Sequence, residues 1–155
     1  MIDASVLEQL LAEAGRDEVQ QFVVGAVVQY GDKALFLQRS EDDFMGGIFE
    51  LPSGKVESGE ALDVALIREV KEETGLDVAN LREYLGHFDY LSGSGKKSRQ
   101  FNFAVDVVVT GPVELQEHDS YTWTALNEEL PVTDAVREVL RRYCEVMECD
   151  RPAGL

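Results

Sequence analysis

Basic residues are scarce in this chain of 155 residues: 14 lysines and arginines stand against 30 aspartates and glutamates, a formal net charge of −16. Such an excess repels nucleic-acid backbones and anionic membranes, which argues against a nucleic-acid polymer or a membrane as partner. Histidine is scarcer still, with His87 and His118 alone, and the only cysteines are Cys144 and Cys149. No Cys-x-x-Cys pair or mixed Cys/His spacing exists, so a zinc site is not expected. The two thiols lie in a stretch that reads as helix, at a spacing that keeps them from facing each other squarely. Plain reduced thiols fit a reducing compartment. No apolar run approaches the length that spans a bilayer. Met1 to Gly15 has no basic segment followed by a continuous apolar one, so no signal peptide is read and the expected location is cytoplasmic.

What is present is an ordinary globular composition, 45% hydrophobic and 28% charged, at a length that supports one core without staples. Val6, Leu7, Leu10 and Leu11 recur at helical spacing within Ala4 to Ala14, and Gly15 is expected to end that helix. Phe22 to Tyr30 (FVVGAVVQY) reads as a buried strand. Gly31-Asp32 marks a turn into a second strand, Ala34 to Gln38. Ile48 to Leu51 reads as a short strand broken by Pro52-Ser53-Gly54. Glu60 to Thr74 gives the clearest helix, with Leu62, Ala65, Leu66 and Val70 on one stripe and Gly75 placed as a left-handed cap. Leu81 to Leu91, Gln100 to Val109 and Tyr121 to Thr124 read as strands. Thr133 to Met147 reads as a final helix with Thr133 as its N-cap. The tail 150–155 is expected to be loose. No repeat or linker is visible, so one α/β domain is expected over 1–155, with 1–18 as a helical extension.

Glu69, Glu72 and Glu73 stand at i, i+3 and i+4, so their carboxylates share one face of the predicted helix. A solvated acidic face is the commoner fate of such a triplet. Here it follows a glycine-rich loop and ends at a capping glycine. Magnesium prefers hard oxygen ligands and keeps waters, so two or three carboxylates plus a substrate phosphate suit it.

The whole stretch Gly54 to Leu76, GKVESGEALDVALIREVKEETGL, resembles the Nudix box, G-x5-E-x7-R-E-U-x-E-E-x-G-U with U a bulky aliphatic. Gly54, Glu60, Arg68, Glu69, Val70, Glu72, Glu73, Gly75 and Leu76 fill every defined position. At ordinary residue frequencies a chance match in such a chain is on the order of one in ten million. The resemblance to Nudix hydrolases implies an α/β/α sandwich with a mixed sheet, the box lying as loop–helix–loop at one edge. It implies hydrolysis of the diphosphate linkage of a nucleoside-diphosphate-X substrate: a nucleoside triphosphate, a nucleotide sugar or a dinucleoside polyphosphate. The cofactor it implies is magnesium, or manganese in its place.

By that resemblance Glu69, Glu72, Glu73 and the carbonyl of Gly54 are the metal ligands, and Arg68 pairs with a box glutamate and holds the cluster. Glu60 is expected to be structural. The base that activates water is either Glu69 or a glutamate from a later loop. Glu117, in LQEHDSYTW, resembles the EH-x-x-Y-x-W segment of dinucleoside-polyphosphate hydrolases, which implies an extra metal ligand or the base, while a surface acid explains it as well. His118 is expected to be a local hydrogen-bonding residue. Lys96, Lys97 and Arg99 are cations placed to meet substrate phosphates. A solvated hairpin tip suits the two lysines better, which leaves Arg99 as the substrate-binding candidate. Phe88, Tyr90, Phe101 and Phe103 stack a base or line the core, and strand aromatics favour the core. A homodimer is also expected. The rival from another class is a non-catalytic domain that senses a nucleotide, disfavoured because the box keeps all its glutamates.

Overall fold

A computed structural model of the chain describes residues 2–42, 46–115, 118, 120–125 and 130–147. Glu117, Cys149 and the expected loose tail 150–155 lie outside the described residues. In chain order the elements are α1 (Ala4–Arg16), β1 (Gln21–Tyr30), β2 (Lys33–Gln38), β3 (Phe49–Glu50), β4 (Ser53–Lys55), α2 (Leu62–Thr74), β5 (Val78–Leu91), β6 (Lys97–Val107), β7 (Ser120–Ala125) and α3 (Asp134–Met147).

The strands form one 7-stranded sheet in the order β3-β2-β1-β6-β5, with β4 also on β1 and β7 also on β2. β1 and β6 run parallel from Gln21↔Ser98 to Gln29↔Asp106, and their other neighbours are antiparallel, so the sheet is mixed. β1 and β2 meet only near their turn, at Gln29↔Ala34 and Tyr30↔Lys33, with Gly31 at φ 61° turning the chain. The two strands then part, and β4 fills the other end of β1 at Val23↔Lys55, Val24↔Gly54 and Gly25↔Ser53. This split places the glycine-rich loop next to the middle of the sheet.

Alternation along β1 and β6 divides the core in two. Val24, Ala26, Val28, Phe101, Phe103 and Val105 face α1 and α2, with Leu7, Ala14, Leu62, Leu66 and Val70 packed on them. Val27 and Ala104 face the opposite side, with Val136, Val139 and Tyr143 of α3. The result is the expected three-layer α/β/α arrangement. The stripe on α2 is buried as its periodicity requires: Leu62, Ala65 and Leu66 are 0% exposed and Val70 is 1%. Truncating a leucine so enclosed costs about 2–5 kcal/mol. Gly75 caps the helix at φ 77°, and its N–H reaches the Lys71 carbonyl at 2.8 Å.

Three local expectations are corrected. α1 does not stop at Gly15 but runs to Arg16, and the reversal falls at Glu18, φ 60°, where Val19 N–H takes the Ala14 carbonyl at 3.0 Å. Pro52-Ser53-Gly54 is not a simple break: Ser53–Lys55 is a strand, because an open length of β1 offers it partners. Helix α2 starts at Leu62, and Glu60 stands before it in the loop. Thr133 does cap α3, its hydroxyl accepting from Val136 N–H at 3.2 Å.

Candidate active site

The loop between β4 and α2 is organised around one guanidinium. Arg68 Nε donates to Glu60 at 2.8 Å and its Nη2 to Glu60 at 2.9 Å and to the Lys55 carbonyl at 2.9 Å. Its Nη1 donates to Glu69 at 2.8 Å and reaches Glu72 at 3.2 Å. All five donors of the fork are thus engaged, which a lysine ammonium could not reproduce. The loop closes on itself through Glu57 N–H to Glu60 at 3.0 Å and Glu60 N–H to the Glu57 carbonyl at 3.0 Å. Held chiefly by Arg68, the Glu60 carboxyl drops to about 2.

The three box glutamates line one groove with Ser53, Gly54 and Lys55 of β4. Glu69 lies against Gly54: a Cβ built there would sit 1.9 Å from a Glu69 oxygen, so any larger residue requires the Glu69 carboxylate to move. Burial pushes the Glu69 carboxyl up, opposed by the Arg68 guanidinium. Glu72 is the outermost, its side chain 57% exposed against 13% for Glu69 and 15% for Glu73.

Glu73 is tied to a second chain of contacts that the sequence did not reveal. Its Oε2 is buried without a hydrogen bond and stands 3.5 Å from His118 Nδ1, an ion-pair rather than a hydrogen-bond distance. His118 Nε2 meets Glu50 at 2.6 Å, and Arg39 Nε donates to the other Glu50 oxygen at 2.8 Å. With Glu50 as the main cause and Glu73 behind it, the His118 imidazole is raised to about 9. Burial pushes Glu50 up, but His118 and Arg39 outweigh it and leave the carboxyl below its ordinary value. Glu50 and His118 lie 68 positions apart, so only β3 and the chain before β7 bring them together.

Among the described residues no three acidic or imidazole groups already converge as a metal cage. The donor set nevertheless fits a hard divalent cation. Three carboxylates share one groove, Glu73 keeps an orphaned buried oxygen, and the bare Cα of Gly54 leaves room for Glu69. Arg68 holds Glu69 and Glu72 on its own side, and Glu72 is the most exposed of the three.

A second hollow of about 560 Å³ opens on the α3 face of the sheet, with Phe49, Ser53, Phe88, Tyr90 and Gln100 among its lining. Ser53 lines both this cavity and the carboxylate groove. The expectation that all four strand aromatics are core holds for Phe101 and Phe103, at 1% and 0% exposure. Phe88 and Tyr90 instead line the cavity, since alternate residues of β5 share the α3 face. Arg99 is brought to neither hollow. It is 5% exposed, donates to both Asp89 oxygens at 2.7 and 3.0 Å, and meets Asp17 at 3.0 Å. Lys97 bonds the Asp17 carbonyl, and Lys96 is exposed at the hairpin tip.

The fold and the box define the class, and comparison fixes the family. The chain belongs to the Nudix family, whose NUDIX domain matches residues 19–143, leaving α1 outside the match. It is similar to an ADP-ribose pyrophosphatase of Methanocaldococcus jannaschii, 40% identical over 63 residues, 41% of this chain and 36% of that one. It is similar over more of its length to a CTP pyrophosphohydrolase of Escherichia coli, 29% identical over 134 residues, 84% of this chain and 96% of that one. Among solved structures, the solution structure of the E. coli ORF135 protein superposes with a TM-score of 0.71 at 27% identity, covering 88% of this chain and 97% of that one. The matched segment spans only 36–45% of the length of the first curated relatives. No helix among the described residues is long and apolar enough to cross a membrane.

Proposed function

We propose that the chain is a magnesium-dependent pyrophosphohydrolase that cleaves the diphosphate linkage of a nucleoside-diphosphate-X substrate, releasing a nucleoside monophosphate with pyrophosphate or phosphorylated X. The observation that carries this reading is the junction at Ser53. A groove of three glutamates, suited to a cation and phosphates, meets there a cavity with aromatic walls of a size that suits a nucleoside. Pyrophosphohydrolases of ADP-ribose and CTP among its relatives point to the same chemistry.

In this reading Glu69, Glu72, Glu73 and the Gly54 carbonyl hold the cation. When bound, magnesium supplies charge neutralisation at the phosphoryl oxygens and lowers the pKa of the attacking water. Arg68 is a positioning residue: it fixes Glu69 and the loop to one another and to β4. Glu69, already raised by burial, or Glu117 takes the proton from water. Lys55, exposed on the rim of the groove, adds a cation for the phosphates. The deciding experiment is a phosphate-release screen over a nucleotide library with and without magnesium. Hydrolysis that depends on the metal is expected, and tight nucleotide binding without turnover at any pH would favour the sensing domain instead.

A further inference from the structure

Polar side chains are rare inside the sheet, yet β6 carries two amides on its α3 face, Gln100 at 8% and Asn102 at 0% exposure. Both sit beside β1 opposite Val23 and Gly25. Gly25 is what admits them: a Cβ there would lie 2.4 Å from Gln100 Nε2 and 2.7 Å from Asn102 Oδ1. Their orientation follows from fixed carbonyls. The Asn102 amino group donates to the Gly86 carbonyl and to the Gln100 main-chain carbonyl, both at 3.2 Å. Asn102 Oδ1 therefore faces Gln100, whose Nε2 donates to it at 2.9 Å. A relay anchored at the backbone thus commits the Gln100 amino group and leaves its Oε1 as an acceptor. Among the described residues no donor engages that oxygen.

Gln100 lines the cavity that Phe49, Phe88 and Tyr90 also line. Phe88 is its cross-strand neighbour on β5, and the Phe88 and Tyr90 rings lie 6.0 Å apart at 42°. These rings give a base stacking surfaces, which every base satisfies, so they do not discriminate. An acceptor fixed at a cavity wall that cannot rotate into a donor does discriminate, because a base that covers it without the matching donor shuts out water and leaves it unpaired. Taking the cavity as the nucleoside site of the proposed hydrolase, we infer that Gln100 reads the base. Its side-chain carbonyl accepts from an exocyclic amino group, so amino-bearing bases are selected over their counterparts without one. Gly25 and Asn102 are positioning residues for this reading, acting through the amide relay.

The test uses nucleoside 5′-monophosphates, which have no anhydride to cleave, titrated calorimetrically into the full chain at saturating magnesium. Three pairs are compared: adenosine with purine riboside, guanosine with inosine, and cytidine with uridine, the two purine pairs differing by the amino group alone. The expected result is at least about tenfold tighter binding of the amino member in one or more pairs, falling to within about twofold in Gln100→Met. Should Gln100→Met not fold, the wild-type protein still answers: the Gln100 side-chain amide resonances shift with the amino ligand more than with its partner. Equal affinity within each pair, or a preference that Gln100→Met retains, overturns the inference. Failure of all six ligands to bind overturns it too, while the phosphate-release screen decides the hydrolase reading independently.

Discussion

A Glu69 carboxylate oxygen occupies the space that a side chain on residue 54 would need, 1.9 Å from where a Gly54 Cβ would stand. The box glycine therefore answers to a neighbour fifteen positions along the chain rather than to its own backbone angle, which is that of a strand. Gly54→Ala should drive Glu69 off its place and out of reach of Arg68. A loss of about tenfold to 100-fold in both magnesium affinity and turnover is expected, the range seen when supports of a metal site are removed. Because β4 is short and at an edge, the melting temperature should fall little. Parental turnover in Gly54→Ala would show that Glu69 need not lie there.

Glu72 and Glu73 differ in how they are held, and their variants should differ accordingly. Both Glu72→Gln and Glu73→Gln are expected to cut turnover about 100-fold or more, since each removes a charged ligand of the proposed cation. Glu72 is mostly exposed, so its variant should keep the parental melting temperature. Glu73 stands with an unbonded buried oxygen near His118, so its variant should also shift metal-free stability. Steady-state rates across magnesium concentrations, paired with thermal melts, check both. Near-parental turnover in the two variants would remove them from the metal site.

How much of this was legible in the sequence depends on whether the cause was local. The α2 stripe and its Gly75 cap were readable because periodicity and a left-handed terminus are written within one element. β4 was not, because Pro52-Ser53-Gly54 looks like punctuation until the bare length of β1 beside it is known. The Glu50–His118–Glu73 contacts join three separate segments and have no sequence spacing to betray them. Gln100 and Asn102 left one trace, the glycine inside the apolar run FVVGAVV, which marks a close approach of side chains.

Arg99 should matter to folding rather than to substrate. Its guanidinium is spent on Asp89 and Asp17, tying β5 to β6 and to the end of α1. Arg99→Met is expected to lower the melting temperature while KM changes less than about twofold. The bond from Arg99 is the main cause that holds the Asp89 carboxyl below its ordinary 3.8. A depressed carboxyl contributes stability that is present above its unfolded value and lost as pH falls through the folded one. The melting difference between parent and Arg99→Met should therefore be steady above pH 3.8 and shrink below it. A raised KM with unchanged melting would return Arg99 to the substrate.

Helix α1 packs Leu7 and Ala14 into the core, at 5% and 0% exposure, although the family match begins after it. A deletion starting near Val19 should uncover the α1 side of β1 and β6, so lower stability and a tendency to aggregate are expected. Light scattering on the full chain tests the expected homodimer. A monomer would leave α1 with its packing role alone.

Glu117 poses the sharpest question about the base. It lies outside the described residues, but its neighbour in sequence, His118, bonds Glu50 and stands 3.5 Å from Glu73. A carboxylate that holds the cation or takes the proton from water acts in the transition state more than in substrate binding. Glu117→Gln should then lower kcat with KM little changed, by about 100-fold if it is the general base. Glu69 cannot be separated so simply, because it also touches Arg68 and Gly54 and its removal disturbs the loop. A kcat equal to the parent's in Glu117→Gln would move the base to Glu69, the carboxyl that burial has already raised.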